Sequence, residues 1–100
     1  MRDERRTEDR VEMSLEANWW GMSGMHGARI GDISLGGCFI DTRGAVTVGE
    51  VVTFELKLPD GEWLELRGQV TFYQPGVGFS LCFTFLTDEE QRQLAQVITA

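Results

Sequence analysis

The sequence lacks the features that mark membrane, metal-binding and secreted disulfide-rich proteins. No apolar run approaches the roughly 20 residues of a membrane span, and the first ten residues are too charged for a secretory signal. Its two cysteines, Cys38 and Cys82, belong to no CxxC motif or Cys/His cluster that would predict a zinc site. These absences predict a soluble, cytoplasmic protein with two buried, reduced thiols, no metal and no membrane insertion.

Basic residues are scarce as well. Nine Lys and Arg against 16 Asp and Glu give a formal net charge of -7. Proteins that coat DNA or RNA, or bind anionic membranes, depend on a basic surface. The charge balance therefore predicts no DNA or RNA partner. Residues 11–100 carry twelve acids against five bases, which also disfavours a single-strand binder that uses aromatic side chains as stacking platforms.

What the chain does contain is a single domain's length of alternating apolar and polar residues. Turn residues lie between the alternating runs, near positions 21–27, 44–49, 59–61 and 75–76. Five to seven short strands in 100 residues predict an all-β barrel or sandwich. The apolar members of the runs are Val11, Met13, Leu15, Ala17, Trp19, Val52, Phe54, Leu56, Leu58, Leu64, Leu66, Val70, Phe72, Val77, Phe79, Leu81, Phe83 and Phe85.

The last segment changes to a helical period. Thr87 and Glu90 fit a capping box, and an apolar stripe of Leu94, Val97 and Ile98 follows. We therefore predict one helix over about 87–98 that packs on the barrel.

Two segments depart from the alternating pattern. Residues 1–10, MRDERRTEDR, hold four arginines and four acids, which is typical of a solvated charged arm. The same guanidinium groups can also grip phosphates bidentately. Residues 31–37, GDISLGG, have the composition of a bulge or tight turn. In a functional interpretation, Asp32 and Ser34 project from the same strand face, because strand side chains alternate, and they suit the donor edge of a guanine or an arginine. The glycines would admit a ligand close to the backbone.

Taken together, the two segments resemble the paired motifs of PilZ domains. Arg6-x-x-x-Arg10 corresponds to the RxxxR motif, and Asp32-x-Ser34-x-x-Gly37 corresponds to the DxSxxG motif. The resemblance covers essentially the whole chain, although Ser80 stands where many members have glycine. It implies a six-stranded antiparallel β-barrel over residues 11–100 with one C-terminal helix. It also implies that residues 1–10 form a flexible arm that clamps the bacterial second messenger cyclic di-GMP.

The resemblance also implies a receptor and not an enzyme, with no metal or cofactor. The residues carried into the ligand site are Arg6, Arg10, Asp32, Ser34 and Gly37, with Arg5 as a second-tier candidate for holding a second, stacked nucleotide. Binding would order the arm and relay the signal to an unidentified effector protein, and a homodimer is compatible with this scheme.

Two other interpretations remain open at this point. The chain is alternatively a PilZ-like protein-interaction module with weak or no nucleotide binding, for which Trp20, Trp63 and Tyr73 are candidate surface aromatics. A hydrolase would need His26, predicted to lie in an exposed hairpin loop, to join Asp32 and Ser34. The sequence has no G-x-S-x-G elbow, so catalysis is disfavoured.

The motif arginines give the first testable prediction. We expect Arg10→Ala to weaken cyclic di-GMP binding roughly ten- to hundredfold, because a charge-assisted hydrogen bond contributes about 1.5–3 kcal/mol. Arg6→Ala should behave alike, and both variants should fold normally. Isothermal titration calorimetry measures the effect, and wild-type affinity of the Arg10→Ala protein would contradict the assigned site.

Overall fold

A computed structural model describes residues 11–99 of the chain. Within that range the alternating runs form six strands, and the capped segment forms one helix. In chain order these are β1 (Val11–Gly21), β2 (Gly24–Ile33), β3 (Gly37–Asp41), β4 (Val51–Lys57), β5 (Trp63–Gln74), β6 (Gly78–Phe83) and α1 (Asp88–Thr99).

All six strands pair antiparallel and close into a barrel. Their order around the barrel is β1-β2-β3-β6-β5-β4, and β4 returns to pair with β1. Within residues 11–99, closure gives each strand a partner on both sides, which reduces the hazard of edge-to-edge association. The predicted six-stranded antiparallel barrel with one helix is confirmed.

The barrel interior is filled by the inward members of the alternating runs. In β4, Val52, Phe54 and Leu56 are all buried, and their sequence neighbours face outward. Trp19 of β1 is completely buried, and its ring meets Phe79 edge to face at 5.0 Å between centroids. Burial of such large side chains is the main source of stability in a barrel of this size.

The alternation fails at the end of β5. Phe72 was predicted to be buried, but its side chain is 52% exposed, while Tyr73 packs against the core. The cause is a register shift against β6 between Val70 and Phe72, which turns two consecutive residues outward. The prediction that Tyr73 is a surface aromatic is therefore wrong.

The alternating run predicted from Val77 to Phe85 is longer than β6, which spans Gly78–Phe83. Val77 is exposed because it belongs to the turn before the strand, and Phe85 is exposed because the strand ends at Phe83. Cys38 is buried as predicted, but Cys82 is exposed. The reason is that Cys82 alternates with the inward-facing Leu81.

His26 is not in a loop, because β2 begins at Gly24. Its half-buried ring stacks on Trp19 at 4.5 Å, and Nε2 lies 2.9 Å from the hydroxyl of Ser23. The indole N–H of Trp19 donates to Oγ1 of Thr42 at 3.1 Å. The interpretation of His26 as an exposed loop residue is therefore wrong. Its contacts lie at the hairpin end of the barrel and hold the loop after β3 against that end.

The opposite end of the barrel is covered by α1. Leu94 and Val97 join the barrel core, and Ile98 packs against it. The capping box forms as predicted: the N–H of Glu90 donates to Oγ1 of Thr87 at 3.1 Å, and the N–H of Thr87 donates to Oε1 of Glu90 at 3.0 Å. No helix within residues 11–99 is long and apolar enough to cross a membrane.

A single arginine ties the helix to the barrel wall. One guanidinium nitrogen of Arg67, on β5, donates to the carbonyl oxygen of Phe85 at 2.9 Å and to the Glu90 carboxylate at 3.2 Å. Phe85 has a φ of 54°, which is unusual for a bulky residue, so the connection between β6 and α1 is held in a strained shape. Arg67 fixes this connection at its carbonyl.

We predict that Thr87→Ala lowers the free energy of unfolding by about 0.5–2 kcal/mol, because it removes the N-cap acceptor of α1. Urea denaturation followed by circular dichroism measures the change. Gln96→Ala, at an exposed position of the same helix, is the matched control and should change stability by no more than about 0.5 kcal/mol. Equal effects of the two variants would contradict the capping role.

Candidate functional site

The turn between β2 and β3 is built around the side chain of Ser34. Its Oγ accepts hydrogen bonds from the N–H groups of Gly36 at 3.2 Å and Gly37 at 3.3 Å, and donates to the Gly37 carbonyl at 3.3 Å. The backbone N–H of Ser34 donates to the same carbonyl at 2.8 Å. Ser34 is 2% exposed, so these bonds form in a shielded place and fix the turn.

Asp32 lies beside this turn but not on the same strand face as Ser34. The strand β2 ends at Ile33, and the register against β3 shifts between Ile30 and Asp32. Ile30 and Ile33 both point into the core, which leaves Asp32 half-buried on the outer surface. The expectation that Asp32 and Ser34 project from one strand face is wrong, because the turn begins at Ser34.

Gly37 is required by the close approach of β3 and β6. Its Cα partner on β6 is Cys82, and a Cβ atom built on Gly37 would overlap the carbonyl oxygen of Leu81. Any side chain at this position would push the two strands apart. The last residue of the motif is therefore fixed by backbone packing.

A depression of about 310 Å³ lies on the outer surface next to the turn, and we call it the motif pocket. Strands β5 and β6 supply the walls that the turn does not. The lining residues are Ser34, Gly36, Gly37, Thr71, Ser80, Leu81 and Cys82. They offer hydroxyl, thiol and backbone groups and carry no formal charge. Such a lining suits hydrogen bonding to a polar, flat group better than it suits neutralising a phosphate.

Sequence analysis missed the contribution of Thr71 and Cys82. Both belong to strands that meet the turn only through long-range pairing of β6 with β3 and β5. The outward alternation of Ser80 and Cys82 about Leu81 was the available signal. The bulge that turns both Thr71 and Phe72 outward could not be predicted from the alternation of apolar and polar residues.

Hydrogen bonds connect the motif turn to the helix. The N–H of Phe83 donates to the carbonyl of Gly36 at 2.9 Å, and the N–H of Thr84 donates to the carbonyl of Arg67 at 2.9 Å. The side chain of Arg67 then reaches Glu90 in the first turn of α1. A continuous series of hydrogen bonds therefore links the turn to the helix.

The turn and the helix also border a larger groove. It has a volume of about 550 Å³ and is lined by Leu35, Asp88, Gln91, Arg92 and Ala95. Leu35, at the tip of the motif turn, is half exposed there. The motif turn and residues 88–95 of α1 therefore share one surface.

The structure places the barrel residues of the proposed site at one end. Asp32, Ser34 and Gly37 lie around the same turn, and the described chain enters β1 at Val11, whose Cα partner is Ile33. Arg5, Arg6 and Arg10 lie outside the described residues. The described part of the site thus consists of the turn and the motif pocket.

The arrangement does not support a hydrolytic triad or a metal centre. His26 and Asp32 are six residues apart on one extended strand, a separation of roughly 20 Å, so the imidazole cannot contact Asp32 or Ser34. Among residues 11–99 no group of three or more His, Cys, Asp or Glu side chains is placed to hold a metal ion.

Comparison with known proteins agrees with the fold. The family model for the PilZ domain matches residues 4–100. No curated protein sequence matches the chain. At the identities below, the solved structures show a shared fold.

Three solved structures illustrate the likeness. The Bacillus subtilis inhibitor of motility MotI/DgrA is 19% identical, with a TM-score of 0.81 over 99% of this chain and 52% of its own. The chain thus spans about half the length of that protein. The PilZ domain of Escherichia coli YcgR, solved with c-di-GMP, is 16% identical with a TM-score of 0.77, over 95% of this chain and 89% of that one. The PilZ domain of CeSA from a cellulose-synthesizing bacterium is 17% identical with a TM-score of 0.72, over 91% and 95%.

The packing at Gly37 gives a stability prediction. We expect Gly37→Ala to destabilise the fold by roughly 1–3 kcal/mol, because the added methyl group meets the Leu81 carbonyl on β6. The matched control is Gly27→Ala on β2, where an added Cβ has Asn18 Oδ1 at 3.8 Å as its nearest neighbour. Urea denaturation of both variants measures the difference. Equal stability of the two variants would show that β3 and β6 do not need the glycine.

Proposed function

The chain belongs to the PilZ domain family, and we propose that it is a cytoplasmic receptor for cyclic di-GMP. In this proposal the ligand is bound between the RxxxR arginines and the DxSxxG turn. Binding orders residues 1–10 and so signals to an effector protein. The chain acts by binding and by changing its surface, without catalysing a reaction.

The observation that carries the proposal is the serine-fixed turn beside an uncharged pocket. A turn whose backbone is held by Ser34 and Gly37 presents a preformed surface, which lowers the entropy that a ligand must overcome on binding. The related PilZ domain of Escherichia coli YcgR was solved with c-di-GMP. That relative supports the choice of ligand.

The chemistry of the ligand divides between the two halves of the site. Cyclic di-GMP carries two phosphodiester charges and two guanine bases. The motif pocket offers hydroxyl and backbone groups but no charge, so it suits a base edge. The phosphates then require cations, which Arg6 and Arg10 supply in this proposal through bidentate, charge-assisted hydrogen bonds. Arg5 would add a contact to a second, stacked nucleotide.

Asp32 has a complementary role in the proposal. Its carboxylate lies half-buried on the outer surface next to the motif turn. A carboxylate there can accept hydrogen bonds from the donor edge of a guanine or hold an arginine in position. The residues 1–10 would serve as the clamp, and the barrel of residues 11–100 as the fixed surface against which it closes.

The relay has a physical basis in the contacts between the turn and α1. A ligand that displaces Gly36 would also displace Phe83, which is hydrogen-bonded to it. The bond from Thr84 to Arg67, and that from Arg67 to Glu90, would carry the displacement to the first turn of α1. The groove beside Leu35 would change shape with it. The effector would read both this surface and the closed arm.

The proposal is tested by titrating the wild-type chain with cyclic di-GMP. We expect saturable binding in calorimetry, which gives affinity and stoichiometry together. In a parallel NMR titration, backbone ¹⁵N relaxation should show residues 1–10 changing from fast internal motion to the rigidity of the barrel. The reason is that the arginines become bound.

Two outcomes would count against the proposal. Absence of binding at ligand concentrations well above the micromolar range would contradict the receptor function and leave the protein-interaction module. Binding without any change in the relaxation of residues 1–10 would contradict the arm-ordering step alone. Arg43→Ala, which removes an exposed arginine from the loop after β3 at the hairpin end of the barrel, is the control for loss of charge and should bind like the wild type.

A further inference from the structure

Large apolar side chains are exposed at the hairpin end of the barrel. The β1–β2 turn, the loop between β3 and β4, and the β5–β6 turn meet at this end. Of the ten large apolar side chains that are exposed within residues 13–99, six lie here, and we call them the hairpin-end surface: Trp20, Met22, Met25, Val48, Val51 and Val77. A cluster of exposed apolar side chains on a soluble domain is typical of an interaction site.

Hydrogen bonds hold the three segments of this end together. The Glu50 carboxylate accepts a bond from the N–H of Met22 at 2.8 Å, which joins the β3–β4 loop to the β1–β2 turn. The N–H of Thr42 donates to the carbonyl of Val77 at 3.2 Å, which joins the same loop to the β5–β6 turn. The hairpin-end surface is therefore preformed, and a partner that binds it loses little free energy to ordering the loops.

The hairpin end has no net charge, unlike the rest of the chain. Arg43 and Glu50 are the two residues of formal charge in its three segments, which are residues 20–28, 42–52 and 73–79. The other residues of 11–100 hold four bases and eleven acids, and so account for the whole net charge of -7. The first turn of α1, at the opposite end, holds three acids. Two copies of this chain therefore repel each other least when their hairpin ends meet.

The composition of the hairpin-end surface matches the buried centre of a protein–protein interface. Such centres are depleted of charged residues and enriched in methionine and aromatic residues. Met22 is 87% exposed and Met25 is 62% exposed, and their flexible thioether side chains adapt to an apolar partner. The same surface on a second copy supplies that apolar partner, because a two-fold axis brings identical residues of both chains together.

We propose that the hairpin-end surface is the interface of a homodimer, in which two copies of this chain pack end to end about a two-fold axis. The motif turn and α1 lie at the opposite end of each barrel, so both remain accessible in the dimer. The dimer forms from contacts of the barrel alone and does not depend on the binding of cyclic di-GMP.

The test is sedimentation equilibrium of the full chain in a dilution series that extends to about 1 mM, where even a weak dimer is populated. We expect the mean mass to rise with concentration toward that of a dimer. Met22→Glu and Met25→Glu should each weaken dimerisation at least about tenfold, because each buries a carboxylate from both copies in an apolar contact. Met25→Leu, which keeps an apolar side chain, should dimerise like the wild type.

Trp63→Glu is the matched control for the loss of an apolar side chain and the gain of a charge. Trp63 is 40% exposed and begins β5 at the α1 end of the barrel, away from the proposed interface. This variant should dimerise like the wild type. Circular dichroism checks that all variants keep the fold of the wild-type chain.

A second measurement needs no substitution. In NMR spectra of the chain with ¹³C-labelled methionine methyl groups, the Met22 and Met25 signals should shift as the concentration rises. The Met13 signal should not, because its side chain packs against the core near the start of β1. Added salt should strengthen the dimer, since it screens the repulsion between two chains of net charge -7.

Four results would overturn the proposal. The chain stays monomeric at every concentration, or the dimer survives unchanged in Met22→Glu and Met25→Glu. Trp63→Glu weakens dimerisation as much as those variants do, which would place no special weight on the hairpin end. Added salt dissociates the dimer, which would indicate an interface of ion pairs elsewhere on the barrel.

Discussion

The pairing of β3 with β6 is the contact on which this barrel depends. At five residues, β3 is the shortest strand, yet without it β2 and β6 would each have an open edge. Glycines mark both ends of the pairing. A Cβ at Gly37 would overlap the Leu81 carbonyl, and one at Gly78 would overlap the Ile40 carbonyl. Residues of the same two strands line the motif pocket, so the pocket exists only when the barrel is closed.

The inward faces of β4 and of β1 from Met13 onward could be predicted from the sequence because their side chains alternate without interruption. The fold fails to follow the pattern where the backbone register shifts, as at Val70 and Phe72, since a shift of one residue exchanges the two faces. The residue types around Val70 and Phe72 do not predict that shift. The helix was predictable within one residue, because the bonds between Thr87 and Glu90 are local.

The site divides in the same way. Asp32, Ser34 and Gly37 were identified from a short motif whose spacing is local. Even there, the placement of Ser34 differed, because its hydroxyl bonds to the backbone of its own turn. Thr71 and Cys82 reach the pocket only through strands that are distant in sequence. Short-range patterns therefore identify the motif, whereas the shape of the pocket depends on the closed barrel.

The exposure of Cys82 has a practical consequence. Of the two thiols, Cys38 is completely buried and Cys82 is open to solvent at the wall of the motif pocket. A maleimide dye or spin label added to the native chain will therefore attach at one place without any mutation. The attached group stands beside the proposed ligand, so the protein carries its own attachment point for a reporter of occupancy.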